Sequence, residues 1–260
     1  MGRVLASFLM PHPPIIIPEV GRGEEKKIQK TIDSMNDVSM TIEGLKPTTV
    51  IIISPHGYVF RDAVCVYGMP EIEGDLGYYG ASDVKLKFNI NTEIAENIIS
   101  KTNAEGIECL KADKHLAHLC DFKLALDQGA LVPLRFVTDH YDKFKLVHIS
   151  YGFLPFDELY HFGMIIKSVV ESLNEDVVVI ASGDLSHKLT SDSPNGYTPK
   201  GVVFDQEILE LLGKMDVKSI LEMDIVPRIL SHEGPFGVGY GVAEFLVKPY
   251  AQEILKKAGK

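Results

Sequence analysis

The feature that most constrains this chain is a repeated switch of hydrophobic period. Short β-branched runs, too brief to be helices, alternate with longer segments whose apolar residues recur at helical spacing. Val4 to Leu9 is the first short run, a charged amphipathic stretch from Glu24 to Leu45 follows, and Thr49 to Ser54 is the next run. A strand, a helix and a strand in that order form a βαβ opening, with the helix lying across a parallel pair. Farther along, Lys85 to Ile90 reads as extended, Thr92 to Thr102 and a segment around His115 to Leu126 as helical, and Ala130 to Val137 as a strand. Lys145 to Ser150 and Asp176 to Ala181 read as buried strands flanking a helix from Phe156 to Leu173. Phe204 to Met215 and Val238 to Leu246 read as closing helices. The pattern predicts an α/β fold, one sheet with helices on both faces.

The length of 260 residues allows one large domain or two small ones at roughly 150 residues per domain. The main linker candidate, Leu189 to Gly201, reads as a loop, and no internal period repeats, so residues 1–260 are expected to be a single domain. Asp plus Glu number 36 against 26 Lys plus Arg, and an acidic chain repels phosphate backbones, which argues against a nucleic-acid partner. Prolines 11, 13 and 14 break the apolar start before it reaches the length of a secretion signal or a membrane span, so no membrane partner is expected. The three cysteines, Cys65, Cys109 and Cys120, form no C-x-x-C pair and are odd in number, which fits a reducing, cytoplasmic location.

Of nine histidines, three follow strands. His12 comes after Val4 to Leu9, His56 after Val50 to Ser54, and His187 after Val177 to Ala181. In open α/β sheets the carboxyl ends of strands are where sites form. Each loop is stiffened by proline or glycine: Pro11-His12-Pro13-Pro14, Ser54-Pro55-His56-Gly57, and Ser182-Gly183-Asp184-Leu185-Ser186-His187. Any one of these imidazoles can be structural, but three at strand ends favour a convergent cluster. Imidazoles joined by a carboxylate suit iron, zinc or copper, and two His plus one carboxylate is the facial set of non-haem Fe(II) oxygenases. Glu233, in a Gly/Pro segment, is the preferred carboxylate. Glu244, inside the expected closing helix, is the alternative.

Pro11-His12-Pro13, Ile51-Ile52-Ile53-Ser54-Pro55-His56 and Ser182-Gly183-Asp184-Leu185-Ser186-His187, in that order, resemble the class III (LigB-type) extradiol ring-cleavage dioxygenases, a superfamily that includes Memo-like relatives. Glu233-Gly234-Pro235-Phe236-Gly237-Val238 resembles the segment that carries its last metal ligand, Glu in the dioxygenases and Cys in the Memo-like proteins. The resemblance implies a three-layer α/β/α sandwich around a mostly parallel or mixed sheet. It implies Fe(II), with zinc or manganese as alternatives, held by His12, His56 and Glu233, and His187 as the acid/base. The implied partners are a small catechol-like or aminophenol-like aromatic and O2. Relatives are often oligomers, so a homo-oligomer is allowed. The family's Asp-His-Gly before Val-Pro-Leu reads Asp127-Gln128-Gly129 here, and a glutamine can hydrogen-bond but cannot transfer a proton. Either substrate handling differs at Gln128, or His115 or His118 substitutes.

The chemistry needs such a set, because a ferrous ion with three protein ligands on one face keeps positions free for two vicinal oxygens and O2. An imidazole can exchange a proton near neutral pH, as His187 would have to. A zinc hydrolase is a rival, weakened by the lack of H-E-x-x-H, and a Memo-like metal-binding protein without ring cleavage is another. His115 and His118, three apart, share a helix face and can equally pair with Asp113 and Asp121. His140, His148 and His161 read as structural, and His232 adjoins Glu233. Gly237 to Gly241 lacks dinucleotide-loop spacing, and no G-x-S-x-G elbow is present.

Overall fold

The structure is a computed structural model that describes residues 2–193, 195–214, 225–233, 236 and 238–247; for residues 207, 225–233 and 244–247 the backbone alone is described. The strands are β1 (Arg3–Met10), β2 (Thr49–Ser54), β3 (Val64–Tyr67), β4 (Glu71–Leu76), β5 (Ala81–Asn89), β6 (Cys109–Ala112), β7 (Lys145–Ser150), β8 (Asp176–Ser182), β9 (Ile225–Glu233) and β10 (Tyr240–Val247). The helices are α1 (Pro18–Gly21), α2 (Gln29–Leu45), α3 (Thr92–Ala104), α4 (Lys114–Cys120), α5 (Gln128–Thr138), α6 (Phe156–Ser172) and α7 (Pro199–Lys214). Eight strands form one sheet in the order β6-β3-β7-β2-β8-β1-β10-β9, and β4 and β5 form a separate hairpin.

The sheet is mixed. β1 and β2 both run parallel to β8, β2 runs parallel to β7, and β3 runs parallel to β6. β3 is antiparallel to β7, and the β9–β10 hairpin adds antiparallel to β1. The central strands β2, β7 and β8 are Val/Ile-rich because both their faces are covered. α2 packs with α5 on one face and α3 with α6 on the other, giving the three-layer sandwich.

β1, β2, β7 and β8 lie where the uninterrupted runs predict them. Two apolar stretches take the opposite state. Ala130 to Val137, expected as a strand, lies in helix α5, where Asp127 caps it by accepting from the Ala130 N–H and every residue of the run but Arg135 is buried. A run that is apolar all round carries no period that separates a buried strand from a buried helix. Val238 to Leu246, expected as a helix, is largely strand β10, paired on both edges with β1 and β9, and its consecutive residues Tyr240 to Ala243 are all buried, so both faces are covered there. Glu244 therefore sits in a strand with its backbone opposite Phe8 and Arg228, not on a helix. The helix around His115 stops at Cys120, where Asp121 turns left-handed (φ 52°), short of Leu126. Glu24 to Ile28 forms a 3₁₀ turn before α2, and Met215 at the end of the expected Phe204 helix lies outside the described residues.

Candidate active site

β1, β2 and β8 are parallel neighbours, so the loops that leave their carboxyl ends emerge side by side. β1 ends at Met10 and delivers His12 between prolines. β2 ends at Ser54 and delivers His56 between Pro55 and Gly57. A Cβ on Gly57 would stand 1.8 Å from Ser150 Oγ, so only glycine lets this turn fold tightly onto β7. β8 ends at Ser182, and Gly183 donates its N–H to the Met10 carbonyl at 3.0 Å, tying the His187 loop to β1.

The Nε2 atoms of His12 and His56 face each other at 2.9 Å, with the rings edge to face. His12 is buried, and His187 is exposed beside it. All three line a cavity of about 490 Å³, together with Tyr151, Ser182 and Asp184. A space of that size takes a small ligand.

The supporting contacts come from distant parts of the chain. His12 Nδ1 lies 2.8 Å from Ser182 Oγ, and Ser182 donates to the Gly129 carbonyl at 2.5 Å. The His12 N–H donates to Asp184 Oδ1 at 3.0 Å. The His56 N–H donates to Ser54 Oγ at 3.2 Å, and Ser54 donates to Asp127 Oδ1 at 2.5 Å. His148 Nε2 stands 3.1 Å from Asp127 Oδ2, and the His148 ring is buried and stacked on Tyr67. Gln128 Nε2 lies 3.4 Å from His56 Nε2.

Burial and the neighbouring His56 push the His12 imidazole down to about 3, so it is neutral, as a metal ligand must be. Burial also lowers His56, opposed by Asp127. Burial alone would raise the Asp127 carboxyl, but the His148 hydrogen bond and charge, with Ser54 and the Ala130 N–H, outweigh it and take the group down to about 2. Asp184 goes the other way: burial lifts it to about 7 against the His12 N–H bond.

Two imidazole nitrogens about 2.1 Å from one ion, at right angles across it, stand about 3.0 Å apart. The observed 2.9 Å and the neutral His12 therefore fit a shared metal ion. Among the described residues no set of three His, Cys, Asp or Glu side chains is arranged to hold a metal. Glu233, the carboxylate expected from the sequence, is the last residue of β9, with its backbone opposite Tyr240 and its side chain outside the described residues. Its backbone position suits the role. Leu9 pairs Ala243, so the start of β10 lies at the carboxyl end of β1, and Gly239 exchanges backbone hydrogen bonds with Leu185 and Ser186 in the His187 loop.

Not every candidate reaches this cavity. His115 and His118 are exposed on α4 and do not line it, while Gln128 approaches it through His56. His140 contacts Asn36 and His161 pairs with Glu105, both away from the site. Sequence reasoning missed Ser54, Asp127, Ser182, Asp184 and the connection of His148. Asp127 carried a usable signal, an acidic residue directly before a run that can be helical.

Residues 6–234 match the family model described as the catalytic LigB subunit of aromatic ring-opening dioxygenase. The chain is 39% identical over 261 residues to protein CA_C1420 of Clostridium acetobutylicum, an alignment covering 90% of this chain and 56% of that relative's length. It is 24% identical over 229 residues to 3,4-dihydroxyphenylacetate 2,3-dioxygenase of Escherichia coli, covering 83% of this chain and 78% of the enzyme. It is 26% identical over 210 residues to the MEMO1 family protein MJ0403 of Methanocaldococcus jannaschii, covering 81% and 61%. The crystal structure of protein JW3007 from Escherichia coli K12 superposes with a TM-score of 0.58 at 13% identity, over 93% of this chain and 99% of that one, a likeness of fold. With the sandwich, the strand-end histidines and a family match over most of its length, the chain belongs to the LigB family of aromatic ring-opening dioxygenase catalytic subunits.

Proposed function

We propose that this chain is a non-haem Fe(II)-dependent extradiol dioxygenase that opens a catechol-like or aminophenol-like ring with O2. The observation that carries the reading is the approach of His12 Nε2 and His56 Nε2 to 2.9 Å in a cavity that His187 also lines. His12, His56 and Glu233 would hold the metal. Bound there, a ferrous ion supplies open coordination positions and an electronic link between an electron-rich ring and O2, which otherwise react poorly because dioxygen is a triplet.

The chain's own residues do the rest. His187 takes a hydroxyl proton from the substrate and later returns one as the ring opens. His12 and Ser182 lie buried in the cavity wall, where charge interactions are screened less than in open water. Gln128 stands where the family pattern has histidine and offers a hydrogen bond without a proton-transfer step. Among the described side chains that line the cavity and do not bind the metal by this reading, proton movement then falls on His187, with Asp184 and Tyr151 the other titratable groups there.

That same glutamine favours a second reading, a Memo-like metal-binding role without ring cleavage. The chain is similar both to a 3,4-dihydroxyphenylacetate 2,3-dioxygenase and to a MEMO1 family protein. The test is O2 uptake by anaerobically iron-loaded protein across a panel of catechols and aminophenols. Uptake that depends on the aromatic and yields a yellow ring-opened product supports the dioxygenase. Bound iron with no uptake on any of the panel favours the second reading.

A further inference from the structure

A serine hydroxyl has one proton to give and lone pairs to receive. Ser182, buried at the end of β8, has two close partners that require different things of it. The Gly129 carbonyl, at 2.5 Å, can only accept, so it takes the hydroxyl proton. The other partner, His12 Nδ1 at 2.8 Å, then faces a lone pair and must itself carry a proton. An imidazole protonated on Nδ1 keeps the lone pair of Nε2 in the ring plane, and Nε2 is the atom that faces His56 at 2.9 Å.

The sequence explains why the Gly129 carbonyl is available. Inside a helix that oxygen would accept from the N–H four residues on, and four residues on from Gly129 is Pro133, which has none. The proline in α5 thus leaves one carbonyl of the first turn without a helical partner, and Ser182 supplies the missing donor. The neighbouring contacts keep that turn in place. Asp127 holds Ser54 and so the His56 loop, and a Cβ on Gly129 would stand 2.4 Å from Ser54 Oγ.

We propose that Ser182 is a positioning residue that fixes His12 in its Nδ1–H tautomer, and that the Gly129 carbonyl left open by Pro133 imposes this by taking the only hydroxyl proton. The consequence for metal binding rests on the function proposed above. The tautomer itself does not.

The experiment is nitrogen-15 histidine NMR of the metal-free protein, followed by chelator-competition titration with ferrous ion alone, on wild type, Ser182→Ala and Ser182→Thr. The expected wild-type spectrum has His12 protonated on Nδ1. Ser182→Ala mixes the tautomers and weakens ferrous-ion binding about 10- to 100-fold, and Ser182→Thr, which keeps the hydroxyl, restores both. A wild-type His12 protonated on Nε2 overturns the proposal, as does a folded Ser182→Ala with unchanged tautomer and affinity. The wild-type spectrum decides the matter if the alanine variant does not fold. If the wild type binds no ferrous ion, the function proposed above fails, while Nδ1–H in that spectrum still upholds the role of Ser182.

Discussion

His148 and Asp127 meet across 3.1 Å under the site, the imidazole fully buried and the carboxylate nearly so. The pair joins β7 to the start of α5, and through Ser54 it reaches the backbone of His56. The remaining ring nitrogen of His148, Nδ1, is buried without a hydrogen-bond partner among the described residues, so the ring's polar anchoring there rests on Asp127.

Asp127→Asn, which takes away the charged acceptor shared by His148 and Ser54, is therefore expected to cost about 1.5–3 kcal/mol of stability, the range for a hydrogen bond to a charged group. Chemical denaturation at neutral pH checks the value. The pH dependence follows from the carboxyl being held at about 2, below its ordinary value near 3.8. A depressed carboxyl contributes its stability in full above its unfolded pKa and loses it as pH falls through the folded one. The wild type should thus lose this contribution between about pH 4 and pH 2, and Asp127→Asn should show a shallower acid slope in that window.

Gly129→Ala tests the tight approach of α5 to the His56 loop. In an open helix that change gains about 0.5–1 kcal/mol. Here the new Cβ would lie 2.4 Å from Ser54 Oγ and 3.0 Å from Asp127 Oδ1, so the sign reverses. A loss of about 1–3 kcal/mol in thermal or denaturant unfolding is expected. A gain in stability would show that the helix start yields more easily than its contacts suggest.

How much of this was legible in the chain itself depends on range. His12, His56 and His187 were readable because β1, β2 and β8 are uninterrupted apolar runs whose ends are marked by Pro or Gly, and a parallel sheet brings such ends together. Ala130 to Val137 is a helix whose apolar run, broken only by Arg135, is too nearly continuous to show a period, and Val238 to Leu246 is a strand whose consecutive residues Tyr240 to Ala243 are all buried, so no alternation marks it. The bonds that orient the imidazoles were out of reach for another reason. Ser182 and His12 are 170 positions apart and Ser54 and Asp127 are 73 apart, and no local pattern announces a contact between two small polar residues at that distance.

Gln128→His places a second imidazole beside His56, in the position the family pattern gives it. If proton transfer limits the reaction, O2 uptake with catechols should rise about tenfold or more, while Gln128→Ala leaves it near the wild-type rate. Steady-state oxygen consumption with both variants checks this.

His187→Ala should keep the metal and lose turnover by about 10²–10⁴-fold, the ordinary size of a general acid/base contribution. Iron content and oxygen consumption, measured on the same preparation, separate the two effects. Equal loss of both would place His187 among the ligands.

Whether His12 and His56 share one metal ion is decided by the ferrous ion bound per chain in anaerobically loaded wild type, His12→Ala and His56→Ala. A single equivalent in the wild type and its loss in both variants is the predicted result. Retention of stoichiometric iron in folded His56→Ala would rule out a metal ion shared by the two imidazoles.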